Sequence, residues 1–201
     1  MTVKKFTIAI IKYAAVFAFW IGVWCIAAYR TDSELLFPSP SSVIKALGEL
    51  IVTKEFWITT AYSLFRVIAG ILLSLVIGSV LAILTERISI FKLALSPIIS
   101  IVKSTPVASF IILALLWVDR SDLPILITAL IVVPIVWSNV SEGIRSVDKD
   151  LIEVAKIYDF SVVKKITKLY VPSIAPFFIA ACRSSLGMAW KAGISAEVLA
   201  T

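Results

Sequence analysis

Three cations, Lys103, Arg183 and Lys191, stand inside otherwise apolar runs of the chain. A charge in such surroundings is costly unless it is paired, hydrated or in contact with a counter-ion, so these residues are candidates for a pathway that handles an anion. Arg183 has an alternative role, a structural hydrogen bond to the carbonyls of a neighbouring helix. Lys103 lies between Pro97 and Pro106, a pattern that suits a broken helix lining a path. Arg66, near one end of its run, is read as snorkelling to the interface. The residues for enzymatic chemistry are missing. The sequence holds no histidine to act as a base, and neither HExxH nor GxSxG occurs. GxxxxGK[ST] is also absent, so the energy for any ATP-driven process must come from another subunit. Cys25 and Cys182 are isolated in apolar runs without a CxxC. They read as small buried hydrophobes, with no zinc site or disulfide framework indicated. No metal and no cofactor is expected.

The elements that would position these residues are membrane spans. Hydrophobic residues make up 60% of the 201-residue chain and charged ones 16%, against roughly 25% charged in an ordinary globular domain. Five apolar runs are long enough for a helix to cross a bilayer core, which takes about 20 residues. They cover residues 13–29, 67–85, 93–118, 123–140 and 171–192. The first follows a basic start like a leader peptide, but Lys12 breaks the expected apolar centre, so an uncleaved span is the reading. The fold class is therefore all-α, a polytopic membrane helix bundle. Basic residues cluster at the ends of the apolar runs and form no stripe with exposed aromatics, which excludes nucleic acid as a partner. With the N-terminus inside, cytoplasmic segments hold ten Lys and Arg, including Lys4 and Lys5, and outer segments hold five. That bias predicts a cytoplasmic N-terminus. Arg183 lies eleven residues past Pro172, so it would sit ~16 Å into its span.

Two amphipathic segments accompany the spans. After Pro38-Ser39-Pro40-Ser41, with Ser41 as N-cap, Val43, Ala46, Leu47, Leu50 and Ile51 share one helical face. This predicts a short helix at the outer membrane surface or a connecting helix packed on the bundle. The loop 142–172 is the long hydrophilic one. In it Leu151, Val154, Ala155 and Tyr158 recur at i, i+3, i+4 and i+7, which places them on one face of a helix over 148–158. Asp159-Phe160-Ser161 turns the chain, and Ser161 caps a second helix with Lys164, Lys165 and Lys168 exposed. A helix–turn–helix between two spans suits a rigid docking element for a soluble partner. Glu153 on its own reads as a solvated helix charge pairing with Lys149 or Lys156.

At these residues the chain resembles a known family. Glu153-Val154-Ala155, Asp159 and Leu169-Tyr170-Val171-Pro172 match the spacing of the EAA signature of binding-protein-dependent ABC importer permeases: EAA, three residues, Gly, nine residues, then I-x-L-P. Val154 replaces the middle Ala, Leu169 and Val171 replace Ile and Leu, and Asp159 replaces the usual Gly. Gly there supplies a left-handed backbone, which Asp is among the few residues to tolerate. Residues 36–41, Leu-Phe-Pro-Ser-Pro-Ser, resemble the LPSPS stretch of the nitrate/sulfonate/taurine group. Residues 63–70, 143–148, 186–190 and 196–199 are similar to that group as well.

The resemblance implies a type I ABC importer permease of the MetI-like fold, with about five spans present and the last one missing. It divides the chain into residues 1–55, a spanning helix with a surface helix, and a permease core over 56–201 that is C-terminally incomplete. It also implies the partners: an ATP-binding subunit docked on the 142–172 loop, an extracytoplasmic substrate-binding protein, a second permease copy and the bilayer of a bacterial plasma membrane. Leu151, Glu153, Val154, Ala155, Tyr158 and Asp159 become the ATPase-coupling residues, and Arg183, Lys103 and Lys191 the translocation path. A small anion such as sulfonate or nitrate, or a vitamin precursor, is the implied cargo. The competing readings are a secondary transporter driven by an ion gradient and a non-transporting scaffold. The first would need intramembrane carboxylates or an internal repeat, and neither is seen in the first four spans.

Overall fold

The computed structural model describes residues 3–31 and 33–200, residues 3–9 by their backbone alone. Lys4 and Lys5, which contribute to the charge bias, therefore lie outside the described side chains. Every regular element among the described residues is helical, and the chain divides into two units, Met1–Thr60 and Ala61–Thr201.

The first unit carries α1 (Val3–Thr31) and α2 (Pro40–Ile51). The stretch Ile10–Thr31 is long and apolar enough to cross a membrane. Cys25 on it is exposed and Cys182, in the second unit, is half-buried, so neither is the fully buried hydrophobe expected. Trp24 donates from Nε1 to the Pro38 carbonyl at 3.0 Å, fixing the turn that precedes α2. The cap of α2 is Ser39 and not the expected Ser41: the Ser39 Oγ accepts from the Ser42 amide at 3.2 Å. Pro40 takes the first helical position, where its missing N–H costs nothing and its fixed φ suits the helix, so the cap falls on the residue before it. Ile44, Leu47, Leu50 and Ile51 are all exposed on α2.

The second unit is organised around three long helices. The first, α3 (Lys54–Arg87), begins in the first unit and runs through most of its length in the second. The others are α6 (Leu123–Arg145) and a C-terminal helix, α9 (Val171–Ala200). Bilayer lipid is as apolar as leucine, so spans associate through close backbone approach, and small residues mark where that happens. On α3 the buried positions include Gly70, Ser74, Gly78 and Ala82, one residue per turn. On α9 they are Ala181, Ser185, Ala189, Ala192, Gly193, Ala196 and Ala200. A Cβ added at Gly78 would lie 2.7 Å from the Val136 Cβ of α6, and one at Gly193 would lie 2.6 Å from Val67 of α3. Glycine is required at both because the facing side chain already fills the gap. Val132, Val136 and Val140 of α6 complete this core with Trp137 and Phe178 packed beside them.

The third apolar run is not a single rod. It forms α4 (Ser89–Ser104) and α5 (Val107–Ala114), which meet at 103°. Thr105 between them is extended, φ −87° and ψ 134°, as the residue before a proline is driven to be. Four helices are thus long and apolar enough to span, and five if the bent pair counts as one span. Pro97 lies inside α4. The fifth run also differs from expectation. No break separates the loop's second helix, α8 (Val162–Lys165), from α9, because a π-helical turn, Ile166–Tyr170, joins them. Pro172 has no N–H and its ring crowds the carbonyl four residues back. Widening the preceding turn so that Val171 bonds to Ile166 relieves that crowding without ending the helix.

Candidate functional site

The loop between α6 and α9 folds on a small core of its own. Its first helix, α7 (Lys149–Ile157), is capped by Asp148, whose side chain accepts from the Asp150 amide at 2.9 Å. The helix ends in a Schellman turn. The Asp159 amide bonds to the Lys156 carbonyl at 3.1 Å and the Phe160 amide to the Ala155 carbonyl at 3.0 Å. This pair of bonds satisfies carbonyls that the helix end would otherwise leave open, and it needs a left-handed residue in between. Asp159 supplies it with φ 45°, the one non-glycine residue at positive φ among those described. Ser161 then caps α8, accepting from the Lys164 amide at 3.3 Å. Lys164 lies 3.8 Å from the centre of the Phe160 ring, a cation–π contact across the turn.

Val147, Ala155 and Leu169 are buried together, with Ile152, Phe160 and Tyr170 packed around them. This corrects the expected helical face. Leu151, Val154 and Tyr158 point outward, 50%, 43% and 72% exposed, whereas Ala155 is 3% exposed and turned into the loop. Ala155 sits at the edge of the apolar stripe, and Leu169 from the second helix claims that edge. The small residue therefore allows the two loop helices to close on each other. Ile157, not singled out from the sequence, joins the outward apolar group at 77% exposed. Glu153 is exposed. Among the described residues it makes no ion pair, so the expected pairing with Lys149 or Lys156 is not formed and its carboxylate is open to a partner.

An ion cluster anchors this loop to the bundle. Glu86, in the last turn of α3, lies 3.3 Å from the Lys92 ammonium and 3.2 Å from Arg145 Nε. Arg145 also reaches Glu142 at 3.8 Å and ends α6 three residues before the Asp148 cap. One carboxylate thus ties the end of α3, the start of α4 and the root of the loop. A second ion pair joins Arg66 of α3 to Glu197 of α9 at 3.1 Å. Arg66 is therefore paired with another helix, in place of the expected snorkelling. Neither pair was recognised in the sequence. Partners 131 and 59 residues apart leave no local spacing signal.

The three cations of the apolar runs stand on two elements, Arg183 and Lys191 on α9 and Lys103 on α4. Arg183 and Lys191 are exposed on α9, about 12 Å apart along the axis and within about 80° of each other around it. Between them, at Gly187, an added Cβ would meet nothing within 4 Å, so this side of α9 is open. Lys103 ends α4 just before the bend. Its Nζ donates to Ser138 Oγ at 2.6 Å and lies 5.9 Å from the Trp137 ring centre. Trp137 in turn donates to the buried Thr85 hydroxyl at 2.9 Å. A cavity of about 170 Å³ opens beside Lys103 against Pro134, Ile135 and Met188. Among the described residues no group of His, Cys, Asp and Glu is arranged to hold a metal.

Comparison with known proteins converges on one class. The family described as the inner membrane component of binding-protein-dependent transport systems matches residues 74–201. The chain is 29% identical over 181 residues to a Bacillus subtilis protein with the name of an aliphatic sulfonates transport permease, covering 89% of this chain and 66% of that one. It is 30% identical over 147 residues to a bicarbonate transport system permease of Synechocystis, covering 72% and 51%. It is 23% identical over 204 residues to a taurine transport system permease of Escherichia coli, covering 98% and 73%. The chain thus spans about two thirds of the first relative's length and about half of the second's.

Proposed function

From the premise that this chain belongs to the family of inner membrane components of binding-protein-dependent transport systems, we propose that it is the permease subunit of an ATP-driven importer of a small anion. A separate ATP-binding subunit docks in the cytoplasm on the 142–172 loop. An extracytoplasmic binding protein delivers the solute, and two copies of the chain enclose the path. The N-terminus faces the cytoplasm, in keeping with the excess of Lys and Arg on that side.

The observation that carries this reading is the build of the loop. An exposed apolar row, Leu151, Val154 and Tyr158, runs beside the uncommitted carboxylate of Glu153 on a helix held from behind by Ala155 and Leu169. Apolar side chains on a soluble loop are unfavourable unless a partner covers them, and a hydrated carboxylate beside them offers that partner an ion pair. Arg183, Lys191 and Lys103 line the path, where their charges favour an anion over a cation. Relatives named for sulfonate, bicarbonate and taurine transport support the anion.

The test is co-purification with the ATP-binding subunit, measured alongside uptake and membrane-fraction levels. Leu151→Asp and Glu153→Lys are expected to abolish capture and uptake while the permease inserts at wild-type levels. Wild-type capture in both variants would remove the loop from the coupling role.

A further inference from the structure

The short helix before the bend has two unlike sides. Ser89, Lys92, Ser96, Ser100 and Lys103 of α4 follow one another at i, i+3, i+7, i+11 and i+14, which confines them to a stripe about 80° wide. Ile90, Phe91, Ile98 and Ile101 occupy the other arcs and are exposed at 67%, 48%, 56% and 61%. A shallow, open hollow lies along the polar stripe, lined by Ser89, Lys92, Leu93, Ser96, Pro97 and Ser100 of this one helix. Pro97 has no amide hydrogen, so the Leu93 carbonyl lacks its helical donor and adds a polar atom to this surface.

Ser100 Oγ donates to the Ser96 carbonyl at 2.9 Å, but hydrocarbon offers no partner to the remaining serine hydroxyls, the open Leu93 carbonyl or the ammonium hydrogens that Glu86 and Ser138 leave over, so lipid is an unfavourable neighbour for this surface. The apolar arcs of the same helix suit lipid well. Charge further narrows what lies against the polar side. Neither α4 nor α5 contains a carboxylate, and α6 has none before Glu142. Lys92 is engaged by Glu86. Lys103, held by the neutral Ser138 hydroxyl at the bend, makes no ion pair among the described residues.

Resting on the importer reading, we propose that this side of α4 is the water-facing wall of the solute path and that Lys103 sets its preference for small oxyanions. The serine hydroxyls and the Leu93 carbonyl hold a file of water, and the anion meets its positive charge where the helix turns away. Ser138 and Trp137 keep the ammonium at that level.

Thiol labelling in membranes holding the permease, its ATP-binding subunit and the binding protein tests this. The background carries Cys25→Ser and Cys182→Ser. Ser96→Cys and Ser100→Cys are each compared with Ile98→Cys and Ile101→Cys, using an anionic and a cationic methanethiosulfonate. Positions 96 and 100 are expected to react and 98 and 101 to resist. At position 100 the anionic reagent is expected to be favoured by about fivefold or more, from the field of the Lys103 cation one helical turn away. Lys103→Gln should abolish that preference and Lys103→Arg should keep it. Equal labelling at all four positions, or at none, would overturn the hydrated wall. A preference unchanged in Lys103→Gln would overturn the selecting role. Uptake and capture of the ATP-binding subunit, measured in the same background without added cysteines, report separately on the importer reading.

Discussion

Asp159 can be taken apart by three substitutions, because two separate costs meet there. Its φ of 45° places an L-residue where the Cβ crowds the backbone, at roughly 1–2 kcal/mol, with Asp and Asn at the low end. Its carboxylate also stands at the negative end of the α7 dipole, which costs a few tenths of a kcal/mol for an exposed group. Asp159→Asn removes the charge alone. Asp159→Gly removes both costs but returns about 0.5–1 kcal/mol through the greater freedom of the unfolded loop, for a net gain of about 0.5 kcal/mol. Asp159→Val keeps the backbone requirement on a β-branched residue and should lose about 2 kcal/mol. The readout is hydrogen exchange of the Asp159 and Phe160 amides, which bond to the Lys156 and Ala155 carbonyls. Opening that costs about 2 kcal/mol less exposes them about thirtyfold more often. Wild-type exchange in Asp159→Val, or faster exchange in Asp159→Gly, would refute the assignment of strain to this turn.

Gly78→Leu should overpack the contact of α3 with Val136 by about 1–3 kcal/mol, lowering the thermal midpoint of the purified chain in detergent; an unchanged midpoint would show that the helices can part there at no cost. Glu86→Gln leaves Lys92 and Arg145 without the carboxylate they share, so the midpoint should fall at low salt by an amount equivalent to about 1 kcal/mol. Added salt should close that gap between the variant and the parent, and a gap that persists at high salt would point to packing in place of charge.

The sequence was most legible where one residue type has a single structural use. The turn at Asp159-Phe160-Ser161 and the cap at Ser161 follow from residue type and spacing, and so do the long apolar helices, whereas the left-handed backbone at Asp159 followed from the resemblance to a signature with Gly at that position. The bend between α4 and α5 was half visible: Pro97 and Pro106 marked a broken element, yet hydropathy alone ran straight through it. What escaped were features decided by a distant segment. Ala155 and Leu151 are both apolar and adjacent on the helical wheel, and Leu169 decides which of them turns inward. Arg66 finds Glu197 across the bundle, and Glu86 gathers Lys92 and Arg145 from two other elements. The small-residue ladder of α3 was readable in principle at four-residue spacing, but in a hydropathy scan glycine, serine and alanine are nearly silent.

The π-helical turn has a mechanical consequence. Because Ile166–Tyr170 joins what a chain break would have separated, the loop's second helix and the last span form one 39-residue shaft, Val162–Ala200, about 58 Å long. Tilting as one rod, such a shaft would act as a lever. With its loop end as the fulcrum, a tilt of about 5° moves the far end by about 5 Å and Lys191, ~44 Å along, by about 4 Å. In the proposed importer, a swing too small to disturb the seating of an ATP-binding subunit at one end is a full atomic diameter at the other.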